Sequence, residues 1–522
     1  MDHCCQLEMN VGGASARRPV AFAQAGRRAE APPTFIQGRS TGFFIFTVCS
    51  WLGSVALAAE PPSYQIGRIE HPAVTESSGI VASRTQEGVF WTHNDSGNPP
   101  VLYALTKEGK TLGEARVEAI NIDWEDIATD DAGHLLIADI GNNGGWRTEV
   151  LVYQVDEPLL AGRAADAPPL KVTGTWRLRF PGQPFDAEGL FVWKEHGYIV
   201  SKVVDNEAAV YRFALAPQEK PVVLERMCSV PVRAPIMGAD ISRDGSQVAM
   251  ITGTGLYLFP IRGEVANLCN AAPRHVQFLE PDAEACCFMP EGVLATSETR
   301  AMLLFTDEII RTHKVLLPAA VEIAIAPTDK APVVDGDLAE WDRAVGELPV
   351  RCVPSQTSPA ARVWARWRPE GVFVAAVVPS ENLTPLASPW YAGDCAEVFL
   401  GREAKERPID YAKGDDRCYL GFGRNADGSL GALELHWPRH ESDPVREARL
   451  AGRVNDDKTY QWELFLPALI AGEDRLRAGG KIRFNVSVLS RKPRCNWYIS
   501  ASNRNHTWLS PATWAVATLK AQ

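Results

Sequence analysis

The chain has 522 residues, enough for two or three domains of ordinary size. It carries 53 Lys and Arg against 64 Asp and Glu, a formal net charge of −11, and no basic run offsets that balance. A protein that follows nucleic-acid phosphates needs a basic surface, so we expect no nucleic-acid partner. Hydrophobic residues at 46% and charged residues at 22% exclude a largely disordered chain. The 41 Gly and 37 Pro favour many short strands over long helices.

The N-terminal segment has the pattern of an export signal. Residues 1–38 show no periodicity, and Arg39 then precedes an apolar run at 42–59 that contains the small-residue triplet Ala56-Leu57-Ala58. A basic flank, an apolar run and small residues are typical of a secretory signal peptide cut near Ala58. The alternative is an uncleaved anchor, but the run is short for the ~20 residues that span a bilayer. We therefore expect residues 1–58 to be an extension plus signal peptide. The mature protein would be secreted or periplasmic, with no membrane span.

Cysteine usage fits export. Eight of the eleven cysteines follow the predicted cleavage point, four of them before residue 320 and four after it. An even number in each half permits disulfides within each half, although the sequence does not define the pairing. The eight are Cys228, Cys269, Cys286, Cys287, Cys352, Cys395, Cys418 and Cys495.

One pattern recurs through the first half of the chain. An acidic residue opens a short apolar strand, a turn follows, and a second apolar strand ends in polar residues. The acidic openings are Glu76, Glu125, Glu188, Asp240 and Glu284. A period of about 50 residues built from short strands is typical of a β-propeller. We predict five blades within 60–315, or six if the long second interval hides one, with the strand Tyr64–Ile69 joining the last blade to close the ring.

The acidic openings predict a polar channel. The first strand of each blade lines the central channel of a propeller, so the five acids would converge there, with Asp95, Asp139, Lys202 and Glu298 at the ends of neighbouring strands. Carboxylates around one axis repel one another unless a cation lies among them, and Ca²⁺ prefers oxygen ligands. The sequence therefore predicts a calcium site, with acids that only cap blade turns as the alternative. The predicted ligands are Glu76, Glu125, Glu188, Asp240 and Glu284.

Catalysis by the propeller is left open. His93-Asn-Asp-Ser96 places a hydroxyl near an imidazole, but no Gly-x-Ser-x-Gly elbow accompanies it. Asp186-Ala-Glu-Gly-Leu190 and Trp124-Glu-Asp126 resemble motifs of phytase-like and esterase-like secreted propellers. That resemblance implies the fold more than an activity, since basic phosphate-binding groups are not evident. If the protein is an enzyme, we expect a hydrolase with the channel as its site. Paired acids would suit glycosidic bonds, and channel calcium would suit a phosphoesterase or lactonase.

The second half changes character after a Pro- and Ala-containing linker at 316–332. Nine of the 15 Trp lie in the last 200 or so residues, among strands of clear alternation. We predict a β-sandwich over 333–522, so the fold class is all-β: a propeller followed by a sandwich. Four tryptophans at alternating strand positions are predicted to be core: Trp341, Trp364, Trp367 and Trp462.

Six ordered blocks in this half resemble the family 9 carbohydrate-binding modules, which have a DOMON-like sandwich fold. They begin at Val333-Val-Asp-Gly-Asp-Leu-Ala-Glu-Trp341 and end at Asn505-His-Thr-Trp508 with its following strand. The resemblance implies that Trp390 and Trp508 enclose a terminal sugar, because the C–H faces of a pyranose pack well on indole. Glu397 and Asn505 match the family's polar contacts.

Two departures qualify the resemblance. Asp394 follows Trp390 by four residues where the family has three, so Tyr391 is an alternative stacking ring. The family's arginine on the next strand is replaced near Tyr419-Leu420. We expect an exported protein that binds carbohydrate or polysaccharide and acts in polysaccharide recognition or breakdown. The rivals are the calcium-dependent propeller hydrolase and a non-catalytic extracellular scaffold.

Overall fold

The computed structural model describes residues 64–521 with internal gaps. The gaps are 164–165, 204–206, 219, 233, 279, 281, 316–319, 354–359, 382, 387–392, 403–414, 437–447, 456–457, 472–474, 492–493 and 500–510. The predicted signal peptide lies outside the described residues. No helix in the described part is long and apolar enough to cross a bilayer.

The first half is a five-bladed β-propeller. After β1 (Gln65–Arg68), the strands of the first two blades are β2 (Ser77–Ala82), β3 (Phe90–Asn94), β4 (Val101–Leu105), β5 (Thr111–Arg116), β6 (Trp124–Thr129), β7 (His134–Asp139), β8 (Glu149–Asp156) and β9 (Val172–Arg179). The third and fourth blades contain β10 (Ala187–Trp193), β11 (His196–Ser201), β12 (Ala209–Ala214), β14 (Glu225–Ser229), β15 (Gly238–Ile241), β16 (Gln247–Thr252), β17 (Gly255–Pro260) and β18 (Arg274–Gln277), whereas β13 (Val222–Val223) joins the sheet of the second blade. The last blade contains β19 (Ala283–Met289), β20 (Gly292–Ser297) and β21 (Ala301–Thr306), and α1 (Asp307–Thr312) follows it.

The ring closes as predicted. Strand β1 pairs antiparallel with β21 and so supplies the outer strand of the last blade. Strand β13, which follows β12 in the sequence, pairs parallel with β9 and so extends the sheet of the second blade. The first strands β2, β6, β10, β15 and β19 are the inner strands, and each contacts the inner strand of the next blade around the ring.

Apolar side chains from facing sheets fill the spaces between blades. Two carboxylates, the buried Asp126 and the half-buried Asp240, also connect the inner strands of different blades. Asp126 Oδ2 accepts hydrogen bonds from the backbone N–H groups of Leu190 (2.8 Å) and Ala239 (3.1 Å). Asp240 Oδ2 accepts one from Phe288 N (2.7 Å). Inner strands have no pairing partner on the channel side, so these carboxylates satisfy backbone donors that would otherwise be buried without one.

One disulfide joins Cys228 on β14 to Cys269 in the 3₁₀ turn Val265–Asn270. Cys286 and Cys287 on β19 are buried free thiols. Cys395 and Cys418 are also free and buried in the second half. A disulfide within the first half is therefore present.

The second half forms one large sheet that folds on itself as a sandwich. Its strands are β22 (Glu322–Pro327), β23 (Arg351–Val353), β24 (Arg362–Arg368), β25 (Gly371–Pro379), β26 (Asp394–Arg402), β27 (Asp415–Arg424), β28 (Leu430–His436), β29 (Arg449–Val454), β30 (Thr459–Pro467), β31 (Lys481–Arg491), β32 (Arg494–Tyr498) and β33 (Ala515–Leu519). Short 3₁₀ turns occur at Leu338–Glu340, Ala468–Ala471 and Pro511–Thr513.

The main path of the sheet runs β28-β27-β26-β31-β33-β22-β24-β25-β30-β29. Strand β22 lies inside the segment predicted as a linker and pairs parallel with both β33 and β24. It therefore connects the two halves of this sheet, which begins at Glu322 rather than near Val333.

The four predicted core tryptophans are buried, as expected. Trp367 and Trp462 lie in the main core between the layers, while Trp341 and Trp364 form a second cluster against Phe373 and its neighbours. Burial of such large apolar side chains is the main stabilising term of a sandwich.

Candidate functional site

Four of the five inner strands carry a β-bulge near their start. In β2, β6, β10 and β19 the pairing register skips one residue, whereas β15 pairs without interruption. A bulge turns the side chain of the extra residue away from the regular alternation of the strand. The bulged residues are Ser78, Glu125, Glu188 and Glu284.

The three bulged glutamates are buried around one lysine. Lys202 forms an ion pair with Glu188, and its charge also acts on Glu125 and Glu284. Ser78 Oγ donates to the Glu125 backbone oxygen at 3.0 Å and lies 3.3 Å from Oε2. The second oxygen of Glu188, Oε2, is buried and has no hydrogen-bond partner among the described residues.

Burial and mutual repulsion change the protonation of these acids. Burial raises the pKa of Glu188 to about 8, although Lys202 opposes the shift. Burial, and then the charge of Glu188, raise the pKa of Glu125 and of Glu284 well above its ordinary value. Burial alone would lower the pKa of Lys202, but the surrounding carboxylates outweigh it and raise that pKa. The site has more buried acid than one ammonium group can neutralise.

Two aspartates extend this cluster toward solvent. Carboxylate oxygens of Asp95, Asp123 and Glu125 lie within 4.8 Å of one another. Burial, and then the charges of Asp95 and Asp186, raise the pKa of Asp123 to about 6. We call the group Asp95, Asp123, Glu125, Asp186, Glu188, Glu284 and Lys202 the mouth of the propeller.

The loop after β7 lies directly against these carboxylates. A Cβ placed on Gly141 would overlap Glu125 Oε1 and Asp123 Oδ2, so any larger residue there would require these carboxylates or the loop to move. Arg147 pairs with Asp139 at 2.7 Å and donates to Gly141 O at 2.8 Å. The loop is thereby held against the mouth.

The five predicted metal ligands do not all come together in the structure. Glu125, Glu188 and Glu284 come together at the mouth, and Glu76 is exposed and accepts a hydrogen bond from Asn98 at 2.8 Å. Asp240 does not join them. Asp240 pairs with Ala249, two residues farther along the strand than the level of the bulges, and its Oδ2 accepts a hydrogen bond from Phe288 N of the next blade. It lines a separate cavity of ≈ 820 Å³ formed by the far ends of β2, β15 and β19.

Asp123 and Asp186 were not among the predicted ligands, although the sequence contains a signal for them. An Asp-x-Glu triplet begins three of the inner strands, with the Glu at the bulge. The triplets are Asp123-Trp-Glu125, Asp186-Ala-Glu188 and Asp282-Ala-Glu284. A search for a repeated triplet rather than for single acids would have found them.

The predicted sugar contacts of the sandwich fall largely outside the described residues: Trp390, Tyr391, Asn505 and Trp508 all do. Glu397 is described. It lies on β26 between Tyr419 of β27 and Ser487 of β31. Its neighbours Ala396 and Val398 face the core, so the alternation of the strand places Glu397 on the opposite face.

An arginine shares that face with Glu397. Arg417 on β27 is buried, and its guanidinium lies 4.8 Å from the centre of the Tyr419 ring. Burial raises the pKa of Glu397 to about 7, and the charge of Arg417 opposes the shift. The family 9 resemblance predicts an arginine on this strand near Tyr419-Leu420, where the sequence has none. Arg417 lies two residues before Tyr419, and strand alternation places it on the same face as Tyr419. We call Glu397, Arg417, Tyr419 and Ser487 the polar face.

Comparisons with known proteins point to the fold of each half. No protein-family model matches the sequence, and no curated protein matches it. A family 9 carbohydrate-binding module from Caldicellulosiruptor kristjanssonii, solved with cellotriose, matches with 17% identity, a TM-score of 0.31, and coverage of 38% of this chain and 94% of that chain. A gluconolactonase from Xanthomonas campestris matches with 16% identity, a TM-score of 0.27, and coverage of 45% and 93%. The Malassezia sympodialis allergen Mala s 1 matches with 10% identity, a TM-score of 0.30, and coverage of 45% and 75%.

The structures similar to this chain thus include a family 9 module and a gluconolactonase, consistent with the resemblances seen in its sequence. What those proteins bind or catalyse is a property of those proteins.

Proposed function

We propose that this protein is exported and binds carbohydrate through the polar face of its sandwich, in the recognition or breakdown of polysaccharide. The observation that carries the proposal is a carboxylate and a guanidinium on the same face of the sheet, away from the core, with the guanidinium over an aromatic ring. Burying ionisable groups costs free energy unless they have polar partners. Glu397 accepts and Arg417 donates hydrogen bonds, and neighbouring sugar hydroxyls offer both complements.

The aromatic part of the proposed site consists of Trp390 or Tyr391 together with Trp508, by resemblance to the family 9 modules. These rings would supply apolar stacking while the polar face orients the hydroxyls. The disulfide within the propeller suits an oxidising compartment, which supports export.

The test begins with the full chain on a glycan array, followed by calorimetry with the best soluble ligand and with cellotriose. We expect Arg417→Ala to weaken binding about tenfold or more, because charge-assisted hydrogen bonds contribute roughly 1.5–3 kcal/mol. Arg449→Ala is the matched control, since Arg449 stacks on Phe465 at 4.9 Å on another strand. Equal affinity of Arg417→Ala and wild type would refute the polar face as the site, and absence of any sugar ligand would leave the scaffold alternative.

A second function is favoured by the mouth of the propeller. We infer that it holds a divalent cation, with Ca²⁺ the best fit to oxygen ligands. Asp95, Asp123 and Glu125 place carboxylate oxygens close together, and Glu188 adds a buried oxygen that lacks a hydrogen-bond partner. A cation would remove the repulsion that raises the pKa values of these acids. When bound, such an ion acts as a Lewis acid on a carbonyl or phosphoryl oxygen.

In that function Lys202 and Arg147 have structural roles. Lys202 reduces the charge that a cation must balance, and Arg147 holds the Gly141 loop against the ligands. Terbium luminescence and calorimetry with Ca²⁺ test the binding, and hydrolysis of glucono-1,5-lactone and of nitrophenyl phosphate tests the activity. Asp123→Asn should weaken cation binding at least tenfold, whereas Asp244→Asn, far from the mouth in an exposed turn, should not. Unchanged cation affinity in Asp123→Asn would exclude the site.

A further inference from the structure

The mouth exposes apolar side chains beside its carboxylates. Trp146 is 71% exposed, Ile120 69% and Ile122 40%. Among the tryptophans that the structure describes, Trp146 is the one that lies mainly in solvent. An exposed indole forgoes a large apolar burial, and an exposed aromatic side chain of this kind is able to contact a partner or ligand.

Hydrogen bonds place the backbone at Ile122 and the loop that carries Trp146 beside the mouth. The carboxylate of Asp139 accepts from Ile122 N at 3.3 Å and from Asp123 N at 3.2 Å. The same carboxylate pairs with Arg147, the residue after Trp146. Asn121 Nδ2 donates to the backbone oxygen of Asp95 at 2.9 Å. The Asp139 carboxylate therefore joins the segment that bears Ile122 and Asp123 to the loop that bears Trp146.

The loop carrying Trp146 is braced at both ends. Asn142 and Arg147 exchange hydrogen bonds, with Arg147 N donating to Asn142 Oδ1 at 2.9 Å and Asn142 Nδ2 donating to Arg147 O at 3.1 Å. Asn142 N also donates to Asp186 Oδ1 at 2.7 Å. A ring on a braced loop loses little conformational entropy when a ligand stacks on it. Trp146 is thus exposed and held in place.

We propose that the mouth of the propeller is a second carbohydrate site, in which one face of a neutral sugar ring lies on Trp146 and its hydroxyls donate to Asp95 and Asp123. The C–H face of a pyranose is complementary to indole, and hydroxyl groups are complementary to carboxylates. When no cation is bound there, the excess of negative charge at the mouth disfavours uronates and phosphorylated sugars. The site is separate from the polar face of the sandwich and does not require that the latter bind sugar.

Oxidative footprinting of the full chain tests this site directly. N-bromosuccinimide oxidises exposed indoles, and peptide mass spectrometry reports the extent at Trp146. The probes are glucose, galactose, xylose and mannose at about 100 mM, with glycerol as a polyol that has no ring and glucuronate as an anionic ring. We expect at least one neutral sugar to reduce oxidation of Trp146 threefold or more. Glycerol and glucuronate should leave it within about 1.5-fold of the unliganded rate.

Variants separate this site from the sandwich. Protection of Trp146 should persist in Arg417→Ala, where the polar face is disrupted, and should be lost in Asp95→Asn/Asp123→Asn. Trp146→Ala should abolish any propeller-dependent retention on the matching polysaccharide, Trp146→Phe should retain part of it, and Leu159→Ala, at a surface position that is 66% exposed, should have no effect. Absence of protection by all four neutral sugars would overturn the proposal, as would protection that disappears in Arg417→Ala.

Discussion

The mouth of the propeller and the polar face of the sandwich both bury carboxylates, but they balance the charge differently. At the polar face one carboxylate, Glu397, is opposed by one guanidinium, that of Arg417. At the mouth several carboxylates share Lys202, and one oxygen of Glu188 has no hydrogen-bond partner among the described residues. A balanced pair suits a neutral polyhydroxylated ligand, whereas an unbalanced cluster needs a cation or protons.

The largest expected effect breaks the balance at the mouth. Lys202→Met removes the ammonium group among the buried acids and should lower the free energy of unfolding by about 3–5 kcal/mol in chelator. Calcium should restore much of the loss if a cation can replace the ammonium. Urea denaturation with and without Ca²⁺ measures both effects. Lys194→Met, which removes an ammonium 5.6 Å from the Trp193 ring, is the control. If Lys202→Met were as stable as wild type in chelator, the buried carboxylates of the mouth would not need the ammonium group to balance their charge.

Gly141→Ala should break the mouth without changing any charge. Its Cβ would overlap the carboxylates of Glu125 and Asp123, so these groups or the loop must move, at a cost of about 1–3 kcal/mol. Cation affinity should fall about tenfold, as measured by terbium luminescence. Gly182→Ala, where a Cβ meets open space, should change neither quantity. Cation affinity within twofold of wild type would show that the loop does not define the site.

The pH dependence of stability should sharpen the contrast. In the folded protein the pKa of Glu188 is raised to about 8 and that of Asp123 to about 6, so the native state binds more protons than the unfolded state. Stability should therefore fall as pH rises from about 5 to 8. In chelator we expect a lower Tm at pH 8 than at pH 5.5. Each kcal/mol by which the free energy of unfolding falls between these pH values should lower Tm by about 2–4 °C. Asp123→Asn/Glu188→Gln should flatten this dependence, and Ca²⁺ should reverse it. A double variant as pH-sensitive as wild type would refute the assignment.

The smallest expected effect concerns the polar face. Because the pKa of Glu397 is raised to about 7, its carboxylate is lost as pH falls through neutrality. Sugar affinity should drop roughly threefold to tenfold between pH 8 and pH 6, measured by calorimetry. Glu397→Gln should be weaker than wild type at pH 8 but independent of pH. A pH-independent wild type would show that Glu397 does not accept a sugar hydroxyl as a carboxylate.

Much of the propeller could be predicted from local patterns. The recurring acidic openings and the strand before the first blade identified the five blades and their closure by β1. The same openings led to Glu125 and Glu188, which lie together at the mouth. Asp240 looked the same in sequence, since it too opens a short apolar strand. It lies elsewhere because it pairs with Ala249, two residues farther along its strand than the level at which the bulged glutamates lie, and that register depends on how a strand pairs with its neighbour.

Arg417 shows the same limit in the sandwich. Its position on β27 is visible as alternation with Cys418 and Tyr419, but its relation to Glu397 depends on the register between β26 and β27. A shift of one residue would place Arg417 among the core side chains. Trp146 is a third case, because the position of its loop beside the mouth depends on the pairing of Arg147, the next residue, with Asp139.

By itself the sequence determined that this protein is all-β, with five short-stranded repeats and a tryptophan-rich sandwich, because strand alternation and turn residues act over a few positions. Only the tertiary structure decided which acids share the mouth, which arginine faces Glu397 and which tryptophan is exposed beside carboxylates. Those outcomes depend on the register of pairing between strands, and one residue of register changes the face on which a side chain lies.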